Sequence, residues 1–385
     1  MRTSLRLRGF GTTIFTEMTR LANERGAINL AQGFPDFDGP DWLKDAAVRA
    51  LREQHGQYAR MTGIPALNAA LSRKYERDYG LTYDGDSEIT VTSGATEAIF
   101  DALQGLLDAG DEVVLFEPFY DSYRAGVEMA GAIPKVATLH APDWQFDRDE
   151  VRALFGPRTR VLLLNSPHNP TGKVFTHDEL TFLASLCEAH DVVCISDEVY
   201  EHLTYDVQHM PMAKIPGMRA RTVTISSLGK SFSFTGWKIG WACAPPDLTA
   251  AVRAAHQFVT FATATPLQHA AVAAVDAPAS YYEGFRADFR AKRDLLVGGL
   301  ARLGFDVRPP EGTYFACAGF SRFSGGAPPD DLAFVRRLID VGVAAIPPSV
   351  FYVHPEHGRS YVRFAFCKRE ETLRGALDRL SALTP

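Results

Sequence analysis

The chain is 385 residues long, 46% hydrophobic and 22% charged, the balance of a globular protein large enough for two domains or for one large domain with a satellite. A formal net charge of -6 and the lack of a dense Lys/Arg run argue against nucleic acid or an acidic membrane surface as a partner, which leaves small molecules. Five cysteines, Cys187, Cys194, Cys243, Cys317 and Cys367, show no C-x-x-C spacing and read as reduced core thiols of a cytoplasmic protein, not as staples or zinc ligands.

The N-terminal M-R-T-S-L-R-L-R-G-F is basic but has no apolar run of signal-peptide length, and no later segment is long enough for a membrane span. A short helical pattern, Ile14 to Ala22, leads into N-L-A-Q-G-F-P-D-F, where Gly33 and Pro35 exclude a helix. Helical patterns follow from Trp42 to Leu51 and from Pro65 to Tyr79, with Tyr58 exposed on the loop between them. From Ile89 strands alternate with helices: Ile89 to Thr92 and Glu112 to Phe116 flank a helix from Thr96 to Leu107 that Gly110 is expected to close. Val161 to Asn165, Val192 to Ser196 and Val223 to Ser226 read as further buried strands, and Thr176 with Glu179 forms a capping box for the helix after the first of them. Continuous apolar strands separated by helices imply a mainly parallel sheet covered on both faces. The expected fold is therefore α/β, with a large doubly wound domain over 43–282 and a smaller α+β domain formed by an N-terminal arm, 1–42, and the C-terminal part, 283–385.

In an open parallel sheet, ligands bind beyond the carboxyl ends of the strands. Here those ends run into S-G-A-T-E, E-P-F-Y, N-S-P-H-N-P-T-G, D-E-V-Y and S-S-L-G-K-S, each polar or aromatic and each of different chemistry. The last contains Lys230 among small residues, the setting of a lysine whose amine is partly desolvated and free for covalent chemistry. A phosphate-binding P-loop is excluded, because the glycine it requires five positions before Gly229 is Thr224.

Taken together, N-x-P-H-N-P-T-G, D-E-V-Y and S-x-x-K followed by G-W-K-x-G-W resemble the fold-type I, pyridoxal-phosphate-dependent class I aminotransferases. N-L-A-Q-G-F-P-D-F, E-P-F-Y-D-S-Y, D-V-V-C-I-S-D-E-V-Y and the late Y-V-R-F-A-F are similar to the subgroup of kynurenine, glutamine-phenylpyruvate and methionine aminotransferases. The resemblance runs from about Ile14 to the C-terminus and implies roles for individual residues. It puts Lys230 at the covalent link to the cofactor and at proton transfer from the substrate Cα. Asp197 would keep the pyridine nitrogen protonated, and Tyr200 and Asn169 would donate to the ring oxygen. Ala95 and Thr96, at a helix N-terminus, with Ser227 and Lys238, would hold the phosphate. Tyr120 and Val199 would cover the two ring faces, and Tyr58 would reach the phosphate of a neighbouring subunit in a homodimer. Arg363 and the Gly33 amide would take the substrate carboxylate, with Phe15, Tyr58 and Phe261 as the aromatic candidates beside its side chain.

The implied activity is a ping-pong transfer of an amino group from a neutral, sulfur-containing or aromatic L-amino acid to a 2-oxo acid. Ala262 stands where kynurenine-preferring members have a histidine, T-P-L-Q after it is closer to methionine-type members, and Thr96 replaces an aromatic residue of some relatives. Two other readings fit the same scaffold: β-elimination from cysteine conjugates, and a non-catalytic cofactor-sensing module, which is disfavoured because about forty residues precede the large domain.

Overall fold

The computed structural model describes residues 4–53 and 55–384; the first three residues of the basic N-terminal stretch, Gln54 and Pro385 lie outside the described residues. The chain opens with helix α1 (Ile14–Arg25), strand β1 (Ile28–Asn29), α2 (Asp41–Arg52) and α3 (Pro65–Tyr79). Strands and helices then alternate through β2 (Ile89–Thr92), α4 (Ala95–Leu106), β3 (Glu112–Glu117), α5 (Asp121–Met129), β4 (Ile133–Thr138), α6 (Arg148–Leu154), β5 (Thr159–Asn165), α7 (His177–Ala189) and β6 (Val193–Asp197). β7 (Thr222–Ser227) leads through the single turn α8 (Leu228–Ser231) to β8 (Gly240–Cys243). Helices α9 (Pro246–Val259), α10 (Thr265–Val275) and α11 (Ala279–Leu303) precede β9 (Asp306–Val307), β10 (Phe315–Gly319), α12 (Asp331–Asp340), β11 (Val343–Ala344), β12 (Tyr361–Ala365) and α13 (Glu370–Leu380).

The main sheet has seven strands in the order β2-β8-β7-β6-β5-β3-β4. All pair in parallel except β8, which runs antiparallel between β2 and β7. Val161 to Leu164 and Cys194 to Ile195 are buried, as strands covered on both faces require. Two strands of this sheet are absent from the sequence pattern. β4 is an edge strand with exposed Ile133 and with Pro134 in it, and β8 is the four residues G-W-A-C. Elsewhere the capping box of α7 forms with both reciprocal bonds. α4 ends earlier than expected, at Leu106 with an extended Leu107 as its C-cap, and Gly110 (φ 93°) instead serves the turn into β3.

The arm and the C-terminal part share one core, in which Met18, Ala22 and Leu30 pack with Leu296, Leu338 and Phe364. In it a three-stranded antiparallel sheet runs β12-β10-β9, and β1 pairs with β11. Val199, Tyr200 and Leu203, which follow β6 of the main sheet, belong to the same core, so the end of β6 is packed between the two parts. All five cysteines are free and buried, and no helix among the described residues is long and apolar enough to cross a membrane.

Candidate active site

The carboxyl ends of β2, β5, β6 and β7 meet at a cavity of about 240 Å³. At one end lies the start of α4. Gly94 takes φ 84°, in the region that only glycine enters without strain, and turns the chain so that the free amides of Ala95 and Thr96 open the helix. Gly240 lets β8 pass close behind it: a side chain there would put its Cβ 2.5 Å from the Gly94 carbonyl carbon. Lys238, left-handed at φ 53° after the turn Thr235–Trp237, brings its Nζ against Gly94, where an added Cβ would meet it at 3.2 Å. Ser227, the last residue of β7, also lines this end, so backbone amides, a hydroxyl and a cation converge on a cup for an anion.

Lys230 sits in α8 with its Nζ 5.6 Å from the centre of the Tyr200 ring and 5.8 Å from that of Tyr314. Burial lowers the pKa of its amine, and the nearby Cys367 and Asp197 oppose the shift only in part. Asp197 closes β6 and is buried as well. Burial raises its pKa to about 6 against two hydrogen bonds that favour the charged form: the Tyr123 hydroxyl donates to Oδ2 at 2.6 Å, and the Val199 amide donates to Oδ1 at 3.2 Å. Tyr200 has its phenol pKa raised by burial, and that of Tyr120 is raised to about 12 for the same reason. Asn165 ties this floor together: its Nδ2 donates to the Asp197 carbonyl at 2.9 Å, and its Oδ1 accepts the Asn169 amide at 2.7 Å.

Arg363 is one residue beyond this lining. It lies inside β12, opposite Cys317 of β10, and exchanges two backbone hydrogen bonds with Ile346 on its other side, so an arginine in an apolar strand is here fully enclosed. Its guanidinium stacks 4.1 Å over Phe315, with Phe15 and Phe351 at 5.3 and 5.5 Å. Nη1 donates to Asn169 Oδ1 at 3.2 Å and Nη2 to the Ala31 carbonyl at 2.9 Å, while Nε is buried without a partner. Such a cation has donors left for an acid and no carboxylate of its own.

Of the residues singled out from sequence, Ala95, Thr96, Tyr120, Asn169, Asp197, Val199, Tyr200, Ser227, Lys230 and Lys238 line the one cavity. Phe15 and Gly33 lie toward Arg363 and its aromatic bed: Gly33 packs on Phe315, where a Cβ would come within 2.6 Å of its ring, and its carbonyl accepts from Tyr314. Tyr58 and Phe261 are outside. Tyr58 is 86% exposed and meets Phe261 edge-on at 5.7 Å. Tyr123 and Asn165 were not singled out, although both stand in quoted motifs; Tyr123 is one helical turn after Tyr120, and Asn165 opens N-S-P-H-N-P.

The family described as "Aminotransferase class I and II" matches residues 25–380. The chain belongs to this family. The aminotransferase is 45% identical to the probable N-succinyldiaminopimelate aminotransferase DapC of Mycobacterium tuberculosis, over 98% of each chain. It is 42% identical to the methionine aminotransferase of Escherichia coli (97% of this chain, 96% of the other) and 37% to human kynurenine–oxoglutarate transaminase 1 (97% and 96%). The solved N-succinyldiaminopimelate aminotransferase of M. tuberculosis superposes with a TM-score of 0.96 over 100% of both chains at 45% identity. Family members depend on pyridoxal phosphate. The cavity fits that group on its own chemistry: it offers a buried amine of lowered basicity, a buried carboxylate and an anion cup in one space.

Proposed function

We propose that this aminotransferase takes the amino group of a neutral, sulfur-containing or aromatic L-amino acid, methionine-like first, with glutamine, phenylalanine and kynurenine in the same class, and passes it to a 2-oxo acid in two half-reactions. The observation that carries the substrate class is the surroundings of Arg363: one guanidinium on a bed of Phe15, Phe315 and Phe351, with Lys230 and Lys238 the cations among the described residues that line the cavity. A carboxylate at Arg363 leaves the substrate side chain among apolar rings, which favours neutral side chains over a second acid. The names of the methionine and kynurenine relatives support this reading.

Pyridoxal phosphate, when bound, supplies an electron sink for the pair released from the substrate's Cα–H bond. In this reading Lys230 is the covalent anchor, and its Nζ, kept less basic by burial, accepts the Cα proton as a neutral amine. Asp197 holds a proton on the pyridine nitrogen, with Tyr123 and the Val199 amide keeping it ionised. Asn169 and Tyr200, in the cavity lining, would hold the ring oxygen, and Tyr120 and Val199 would pack against the ring. The amides of Ala95 and Thr96, Ser227 and Lys238 bind the phosphate. Arg363 and Gly33 bind the substrate carboxylate, and Phe15 borders the side chain, while Phe261 lies outside the cavity of its own chain, against Tyr58. Tyr58 completes the phosphate site of a second subunit. Its exposure, with that of Phe258 at 89% and of Leu51 and Val259 nearby in sequence to the same loops, supports a homodimer. A cytoplasmic location is part of the reading, in keeping with five free thiols.

The test is a half-reaction screen of the twenty amino acids, kynurenine, cysteine conjugates and N-succinyldiaminopimelate, followed by the cofactor's absorbance. Fast turnover of methionine, glutamine or aromatic donors is expected. A strong preference for aspartate or N-succinyldiaminopimelate refutes the substrate class, and pyruvate with ammonia released without an acceptor favours β-elimination. Bound cofactor with no turnover of any donor favours a sensing module.

A further inference from the structure

His256 of α9 is fully buried beside α4, and neither of its ring nitrogens faces the cavity's chemistry. Both nitrogens meet acceptors. Nε2 lies 3.0 Å from the Met61 carbonyl, which can only accept, so Nε2 bears a proton. Nδ1 lies 2.7 Å from Glu97 Oε1 and 3.3 Å from Asp101 Oδ2, two carboxylates one turn apart on α4, so Nδ1 bears the other. The ring is an imidazolium. Burial works against that charge, but the carboxylates of Asp101 and Glu97 outweigh it and hold the ring's pKa at about 9. Asp101 is itself fully buried, and neither of its oxygens has an aligned donor; burial and the neighbouring Glu97 raise its pKa, and the His256 cation is the neighbour that favours its ionised form.

The three groups touch two parts of the site. Glu97 uses its second oxygen to accept the Ser93 amide, immediately before the Gly94 turn of the anion cup. Met61 belongs to the loop between α2 and α3, three residues after Tyr58. The segment that follows His256 holds the other side of that loop: the Thr265 hydroxyl donates to the Gln57 carbonyl at 2.7 Å, and Phe261 lies against Tyr58. Of these contacts, the His256 cluster alone is continuous with the cup.

We propose that His256 is a positioning residue, a buried imidazolium between Glu97 and Asp101 that ties the Tyr58 loop to the start of α4 and so keeps the two halves of a phosphate site in register. This rests on the reading in which Tyr58 serves a phosphate. The groups facing the ring are Glu97 and Asp101 from α4 and the neutral Met61 carbonyl from the loop. With the folded value raised, the charged ring's contribution is complete below the ordinary histidine range, about pH 6.5, and is lost as pH rises through about 9.

Hydrogen exchange of the holoenzyme tests this. In the wild type, protection of residues 55–64, corrected for intrinsic rates, is expected to fall by up to about tenfold per pH unit above about 6.5 and to level off above about 9. His256→Gln, which keeps a donor for Met61 and loses the charge, is expected to lower that protection by about tenfold or more at pH 7 while α11 and α13 stay protected. Protection of 55–64 that stays constant from pH 6 to 10 in the wild type overturns the proposal, whether or not the variant folds, and so does unchanged protection in a folded variant. The dissociation constant for pyridoxal phosphate separates the two ideas. If the loop opens and cofactor binding weakens, both stand; if the loop opens and binding does not change, the clamp stands and the role of Tyr58 at the phosphate fails.

Discussion

Replacing Tyr123 by phenylalanine removes one 2.6 Å hydrogen bond from a buried carboxylate and leaves the Val199 amide as its remaining donor. Burial has already lifted Asp197 to about 6, and the Tyr123 bond is the largest of the influences holding it there, ahead of the Val199 amide and Lys230. A hydrogen bond to a buried charged acceptor contributes about 1.5–3 kcal/mol, and one pKa unit corresponds to about 1.4 kcal/mol. The sign follows from which form the bond favours. Tyr123 stabilises the charged carboxylate, so the Tyr123→Phe variant should ionise about one to two units higher. At pH 6.5 the wild-type apoprotein then has Asp197 mostly charged, while the variant has it mostly neutral, so a cofactor arriving with its pyridine nitrogen protonated must displace a proton on binding. Titrating each apoprotein with pyridoxal phosphate by absorbance, between pH 5.5 and 8.5, should show the variant's affinity reduced by about tenfold at pH 6.5 and recovering as pH rises. Curves that superimpose would show that the bond does not favour the charged carboxylate, and a loss that is the same at every pH would show that it does not act through ionisation.

The remaining predictions concern the other members of the site and the packing behind it. Lys230→Ala should abolish the visible band of the bound cofactor and slow each half-reaction by about 10²–10⁴-fold, followed by stopped-flow absorbance; half-reactions at the wild-type rate would remove Lys230 from the chemistry. Arg363→Ala should leave the cofactor spectrum intact and raise the KM of every amino and oxo acid by about a hundredfold or more, while Arg363→Lys recovers only part because a point charge does not replace a planar fork. Behind β6 and β7, the buried Lys74 donates to Glu201 at 2.6 Å, and Ser226 donates to the other oxygen. Burial raises the pKa of Glu201, but Lys74, with His202 and Ser226, pulls it below the usual carboxylate range. The pair's stabilisation is therefore present above the ordinary glutamate value and lost as pH falls through the folded one. Lys74→Met should cost about 3–5 kcal/mol in urea unfolding at pH 7, with the deficit shrinking on acidification as Glu201 takes up a proton; a deficit below about 1 kcal/mol would mean the pair is solvated.

Much of the chain's organisation was local enough to read from sequence. The capping box at Thr176 and Glu179 and the apolar strands at 161–164 and 193–195 depend on neighbours a few residues apart, and periodicity reports such neighbours directly. The same holds for the ends of those strands, where Asp197, Ser227 and Lys230 face one cavity because parallel strands must all end on the same side. Edge and antiparallel strands were harder, since β4 is half-exposed and interrupted by Pro134, and β8 is a strand only because β2 and β7 leave room between them.

What the sequence determined by itself was the alternation of elements, the free thiols and the set of motifs that carry the family. Tertiary structure decided what each polar group is paired with. Arg363 is enclosed, not at a solvent edge, because Ile346 covers the open side of β12; Asp197 at the end of β6 is tuned by Tyr123 from helix α5; His256 is charged because Glu97 and Asp101, over 150 residues away in the chain, are brought to its ring. Charge and pKa depend on distance and burial in space, and neither is carried by position along the chain.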